Sequence, residues 1–164
     1  MNDSFILRDR LWREQNERVT LSSNATFSSN SLGRNVNEEP DAFRTCFERD
    51  RDRIIHSKTF RRLKHKTQVF INPDGDHFIT RMTHTLNVTQ VGRSIARTLG
   101  LNPDLTEAIC LGHDVGHSPF GHTGEEVLNE LLDGGWSHSE NSVRMLSIIE
   151  PLNLTKETIN GIEK

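Results

Sequence analysis

The sequence predicts an all-α domain interrupted by one small β-hairpin near residues 68–80. Apolar residues recur at steps of three and four through most of its segments, and Gly or Pro closes the runs. The exception is "QVFINPDGDHFIT", where apolar and polar residues alternate around a turn sequence.

Residues 1 to about 20 suit a short charged helix. Residues 20 to 39, "TLSSNATFSSNSLGRNVNEE", are Ser/Asn-rich and aperiodic, which reads as an irregular arm or mobile loop. From Pro40 the character changes. Phe43, Phe47, Ile54, Ile55, Phe60 and Leu63 lie among charges, as expected for two helical pieces with an apolar side. In the hairpin, Val69, Ile71 and Phe78 flank "NPDG", whose residues stand where a type I turn favours them.

"RMTHTLNVTQVGRSIARTLG" then reads as a helix stopped by Gly100, with His84, Val88, Val91, Ile95 and Leu99 forming its buried stripe. Asn102 is the expected N-cap of the next helix, with Pro103 in its first turn and Leu105, Ile109 and His113 on one face. The short connection favours antiparallel neighbours, which puts His84 and His113 toward one end of the pair. The two arms differ in length, roughly 23 Å against about 15 Å at helical rise, so the helices must be staggered for the histidines to meet. "TGEEVLNELLD", "SENSVRMLSII" and "TKETINGIEK" suggest three further helices, and the last stops in mid-pattern. The expected organisation is an arm over residues 1–40 followed by the N-terminal part of a larger domain over 41–164, truncated at its end.

Composition limits the function. No apolar run is long enough to span a membrane, and the N-terminus lacks the apolar segment of a signal peptide. Cys46 and Cys110 are far apart and in no metal-binding spacing, which suits a reduced, cytoplasmic protein. The net charge of −3 conceals a basic block: residues 53 to 73 hold no acid but carry Arg53, Lys58, Arg61, Arg62, Lys64 and Lys66. An anionic ligand is one reading, nucleic acid a secondary one, and a solvated helix face the plain one.

"HDVGHSPFGH" carries the chemistry. His113 and Asp114 are adjacent, about 100° apart on a helix, and can bracket one ion, with His84 as third ligand. Imidazole with carboxylate suits Mn, Fe or Zn, or Mg with waters, and a two-histidine, one-carboxylate set leaves open positions. Gly116, Pro119 and Gly121 end the helix and turn the chain. His122 and Glu125 are three apart, and with Thr123 as N-cap the carboxylate would orient the imidazole for proton transfer. A zincin-like protease fits poorly, because it needs Glu after the first histidine in an unbroken helix.

"RDRIIHSKTFRRLKHKTQVF", "DHFITRMTHT" and "LGHDVGHSPFGHTGEEVLNELL" resemble successive motifs of the bacterial deoxyguanosine triphosphate triphosphohydrolase-like family, within the HD-domain phosphohydrolases. The resemblance covers about residues 41 to 164. It implies an HD-domain helical fold, a divalent metal (Mg or Mn first, with Fe, Co or Zn as alternatives), and hydrolysis of a deoxynucleoside triphosphate to deoxynucleoside and tripolyphosphate. By motif, His84, His113 and Asp114 match metal ligands, and His122 with Glu125 matches the catalytic histidine and its supporting carboxylate. Arg81 and His117 match phosphate-contacting positions, and Gln68 matches a residue near the sugar. His138 corresponds to a histidine in an "HNEQS"-like motif, from which Ser139 and Asn141 depart. The family also implies a homo-oligomer. It places a fourth metal ligand, an aspartate, and Lys, Arg and Tyr substrate residues beyond position 164; Glu150, Glu157 and Glu163 match no ligand, and the sequence has no tyrosine. A non-catalytic nucleotide-binding or regulatory fragment is therefore the alternative expectation.

Overall fold

The computed structural model describes residues 8–66 and 79–164. Its helices are α1 (Arg10–Thr20), α2 (Cys46–His56), α3 (Lys58–Arg62), α4 (Arg81–Leu99), α5 (Pro103–Gly112), α6 (Gly121–Leu131), α7 (His138–Arg144) and α8 (Lys156–Glu163). A π turn over Met145–Ile149 continues α7. The fold is helical as expected, and no strand occurs among the described residues. An isolated antiparallel bridge pairs Arg34 with Thr155. The expected hairpin near residues 68–80 lies, apart from Ile79 and Thr80, outside the described residues. At the edges of that segment the Arg81 N–H donates to the Lys66 carbonyl at 2.9 Å.

Local chemistry sets the helix ends. Asn102 caps α5 as expected, its side-chain oxygen accepting the Asp104 and Leu105 N–H groups at 3.1 Å, with Pro103 opening the helix. Gly100 closes α4 at φ 67°, a left-handed turn that costs glycine little. Thr45 and Glu48 form a reciprocal capping box on α2. The start of α6 differs from expectation: it begins at Gly121, after Phe120 in the left-handed region, and not behind a Thr123 cap. Pro119 fixes the entry, and Gly124 meets it so closely that an added Cβ would lie 2.0 Å from the Pro119 carbonyl oxygen.

The core gathers Ile54, Phe60 and Leu63 with Ala108, Leu111 and Val115, and is closed by Leu146, Leu154 and Ile162. Helix α5 is central, packing on α4, α2 and α8. The expected stripe of α4 holds only in its first half, where His84 and Val88 are half-buried. Arg81, Thr85, Thr89 and Ala96 are buried, whereas Val91, Ile95 and Leu99 are 59, 54 and 59% exposed. The reason is hydrogen-bond satisfaction. The Thr85 and Thr89 hydroxyls donate to carbonyls one turn back, at 2.8 and 2.7 Å, and then pack as small groups. Gly92 receives Cys110 on the same face.

The segment at residues 20 to 39 is irregular, as expected, but is stitched down by buried polar groups. Glu17 accepts from the Ser28 N–H at 2.7 Å and hydroxyl at 2.6 Å, and from Asn102 at 3.2 Å. Fully buried Asp50 pairs with Arg34 and accepts from Thr155 and Thr158. These bonds join residues far apart in sequence, so aperiodicity alone could not reveal them.

Candidate active site

The start of α4 and the end of α5 converge, staggered as the unequal helix lengths require. The His84 and His113 ring centroids stand 6.1 Å apart. One donor atom from each of His84, His113 and Asp114 lies within 4.8 Å of the others, a span that needs only sub-ångström movement to meet one ion. The His113 ring is oriented for this. Its Nδ1 is 2.6 Å from the Cys110 carbonyl, which only accepts, so Nδ1 carries a hydrogen and Nε2 is the ring nitrogen left to face an ion. Two imidazoles and a carboxylate thus fit a divalent transition metal.

Asp114 already has a cation. Arg81 Nη1 donates to its two oxygens at 3.1 and 3.0 Å, and both residues are only 3% exposed. Arg81 Nε is buried and has no hydrogen-bond partner among the described residues.

Asp114 and His117 stand on a turn, residues 113 to 117, that follows α5. Gly116 lets that turn press against α7, since a Cβ there would lie 2.1 Å from the Ser142 nitrogen. The Ser142 hydroxyl accepts from the Gly116 N–H and donates to the His113 carbonyl, both at 2.9 Å. Asn141 donates to the Gly116 carbonyl at 2.6 Å. Asn141 is one of the positions where the sequence departs from the family motif, and here it holds the turn.

The second histidine cluster is arranged differently from expectation. Glu125 accepts from the His138 backbone N–H at 3.0 Å and stands 3.0 and 3.1 Å from its Nδ1, while His122 Nδ1 is at 3.4 Å. The carboxylate therefore orients His138 first and His122 second; His122 is 78% exposed. The shift follows from α6 starting at Gly121, two residues before the expected cap, which leaves Glu125 facing the N-terminus of α7. Burial alone would raise the Glu125 pKa, but the bonds from the His138 backbone and ring outweigh it and lower the value.

His117 is buried and stacks on His138 at 4.6 Å, the rings 8° from parallel. Burial, with Arg81 second, pushes its pKa down to about 4, so it is neutral near pH 7. His117, Glu125 and His138 also bring donor atoms within 4.8 Å of one another. They make a poor metal site as arranged: an ion lies in the plane of each imidazole that binds it, and two stacked parallel rings share no such plane.

Arg81, His84, His113, Asp114, His117, His122 and His138 line one cavity of about 250 Å³. Glu125 lies behind His138, and Gln68 falls outside the described residues. As lined by the described residues, the cavity is smaller than typical drug-sized ligand sites. Of the basic block, Lys66 reaches this region, Arg53 bonds to Glu38 and to the Leu152 and Asn153 carbonyls, and Lys58, Arg61, Arg62 and Lys64 are exposed.

The family model described as "HD domain" matches residues 81–164, from the first residue of α4 through α8. The chain belongs to the HD domain family. The matched span contains His84, the His113–Asp114 pair and the second histidine cluster. Among curated relatives, it is 61% identical over 153 residues to a deoxyguanosinetriphosphate triphosphohydrolase-like protein of Caldanaerobacter subterraneus subsp. tengcongensis, covering 91% of this chain and 45% of the relative. A protein of the same description from Clostridium tetani is 55% identical over 164 residues, covering 98% and 46%. The chain therefore spans less than half the length of these relatives. No helix among the described residues is long and apolar enough to cross a membrane.

Two contributors to the candidate site escape sequence reasoning. Lys66 was visible only as one of six charges in a block, and Ser142 only as an unremarkable helix residue.

Proposed function

We propose that this chain supplies the metal-binding and triphosphate-binding part of a deoxynucleoside triphosphate triphosphohydrolase, with a deoxyguanosine triphosphate-like substrate cleaved to deoxynucleoside and tripolyphosphate. The observation that carries the reading is the convergence of the His84, His113 and Asp114 donors beside Arg81 and His117 in one buried cavity. The names of the Caldanaerobacter and Clostridium relatives support the same substrate class.

His84, His113 and Asp114 would hold a divalent metal, with Mg or Mn favoured and Fe, Co or Zn as alternatives. When bound, such an ion supplies Lewis-acid charge where phosphoryl oxygens become more negative. Arg81 adds a fixed positive charge, with its buried Nε–H unengaged among the described residues. Neutral His117 donates a hydrogen bond to a phosphate oxygen without competing for the metal. His122, exposed at the cavity mouth and near Glu125, exchanges a proton with the nucleophile or the leaving 5′-oxygen. His138, locked by Glu125, faces the same phosphates, and Gln68 is assigned to the sugar by its motif. The reading includes a cytoplasmic protein that works as a homo-oligomer.

The test is ion-exchange detection of tripolyphosphate after incubation with deoxyguanosine triphosphate and Mn or Mg. Release that stops on chelation and in Asp114→Asn supports the reading, and equal release by that variant removes Asp114 from the site. One observation favours a non-catalytic nucleotide-binding fragment instead: among the described residues no fourth donor joins His84, His113 and Asp114. Thermal stabilisation by nucleotide with no release would decide for it.

A further inference from the structure

The HD turn holds its side chains in place only if its carbonyls are satisfied, and their partners can be traced one by one. The His113 carbonyl goes to the Ser142 hydroxyl, the Asp114 carbonyl to the His117 N–H at 3.2 Å, and the Gly116 carbonyl to Asn141. Those of Val115 and His117 go to a single side chain. Lys66 Nζ is 2.7 Å from the His117 oxygen and 3.5 Å from that of Val115. The backbone of the same residue holds the other half of the site, since the Lys66 carbonyl accepts the N–H of Arg81 at the start of α4.

We infer that Lys66 is a positioning residue: its ammonium pins the turn bearing Asp114 and His117, while its carbonyl pins Arg81, fixing the metal-binding and phosphate-binding groups relative to each other. The two carbonyls follow the C-terminal end of α5, where backbone dipoles favour a cation. Lys66 Nζ is directed at backbone oxygens of the turn, whereas Arg81 pairs with Asp114 and keeps a buried, unpartnered Nε–H, which separates the two roles. On the opposite side Ser142 and Asn141 hold the turn with neutral bonds, so removing Lys66 leaves it tethered on one side only. The inference rests on the proposed metal reading of His84, His113 and Asp114.

Lys66→Met keeps the length and apolar stem but removes the charge; Lys66→Arg keeps the charge. Both are compared with the parent chain by amide hydrogen exchange and by Mn binding, read from the free-ion electron paramagnetic resonance signal. The expected result for Lys66→Met is exchange at residues 115 to 118 faster by about tenfold, with the amides of α2 and α8 unchanged, as local opening requires. Mn affinity should weaken by about tenfold or more, as for loss of a group supporting a metal ligand. Lys66→Arg should restore most of both. Unchanged exchange in the turn, or acceleration spread equally over every helix and not rescued by Lys66→Arg, would overturn the role of Lys66. Absence of Mn binding by the parent chain instead overturns the metal reading, and turn exchange still judges Lys66 in that case.

Discussion

Arg81→Leu is the most informative single change, because it strands a buried anion. Arg81 and Asp114 are each 3% exposed, and one guanidinium nitrogen serves both carboxylate oxygens at 3.0 and 3.1 Å. Removing one partner of such a pair typically costs about 3–5 kcal/mol, mostly from the uncompensated charge left behind. For a chain of this size each kcal/mol moves the melting point by roughly 2–4 °C, so the metal-free variant should melt roughly 6–20 °C lower. Adding Asp114→Asn to Arg81→Leu should recover much of that loss, since the stranded charge disappears. Mn should stabilise Arg81→Leu more than the parent, because the cation then meets a carboxylate that has no other counter-ion. Circular dichroism melts in chelator and in millimolar Mn measure all three quantities. A loss below about 1 kcal/mol, or a double variant no more stable than the single one, would refute the claim that Arg81 neutralises Asp114.

Two further changes test the second cluster and the start of α5. Glu125→Gln removes the charge that orients His138 and His122; turnover should fall by about 10²–10⁴ with the melting point little changed, and turnover within twofold of the parent would dismiss the carboxylate. Asp104 is half-buried near Glu48, and burial first, then that charge, raises its pKa to about 6 from an ordinary 3.8. An acid whose value is raised in the fold stabilises fully below its unfolded value, and loses that contribution as pH rises toward 6. The melting point of Asp104→Asn relative to the parent should therefore increase from pH 4 to pH 7, and a constant difference would show that Asp104 carries no such shift.

What the sequence made legible were features set by neighbours along the chain. Asn102–Pro103 and Gly100 announce helix ends through their own side-chain and backbone chemistry, and the structure places them there. The break after His113 was readable from Gly116, Pro119 and Gly121 for the same reason. The buried face of α4 was not, because hydropathy treats Thr85 and Thr89 as polar when their hydroxyls are already bonded to the helix. The anchoring of the arm through Glu17 and Asp50 joins residues across long sequence separations. Seven of the candidate residues share one cavity. The preference of Glu125 for His138 over His122 turned on a three-residue difference in where α6 begins, finer than pattern reading places helix ends.

The Arg81–Asp114 pair also bears on how ligands would bind together. Under the proposed function, the metal ion and Arg81 draw on one carboxylate, and Arg81 and the triphosphate draw on one guanidinium. A carboxylate divided between two cations holds each less tightly than it holds one, so metal binding loosens Arg81 and makes its N–H groups available to phosphate. By linkage the reverse must hold to the same degree: phosphate that engages Arg81 raises the affinity for metal. His117, neutral near pH 7 and with its Nε2 4.0 Å from Asp114, adds no further cation to that competition. The turn pinned by Lys66, Ser142 and Asn141 keeps these groups within reach while the pairing changes. A buried ion pair that would be a poor source of stability by itself thus becomes intelligible as the shared element through which two ligands of opposite charge favour each other.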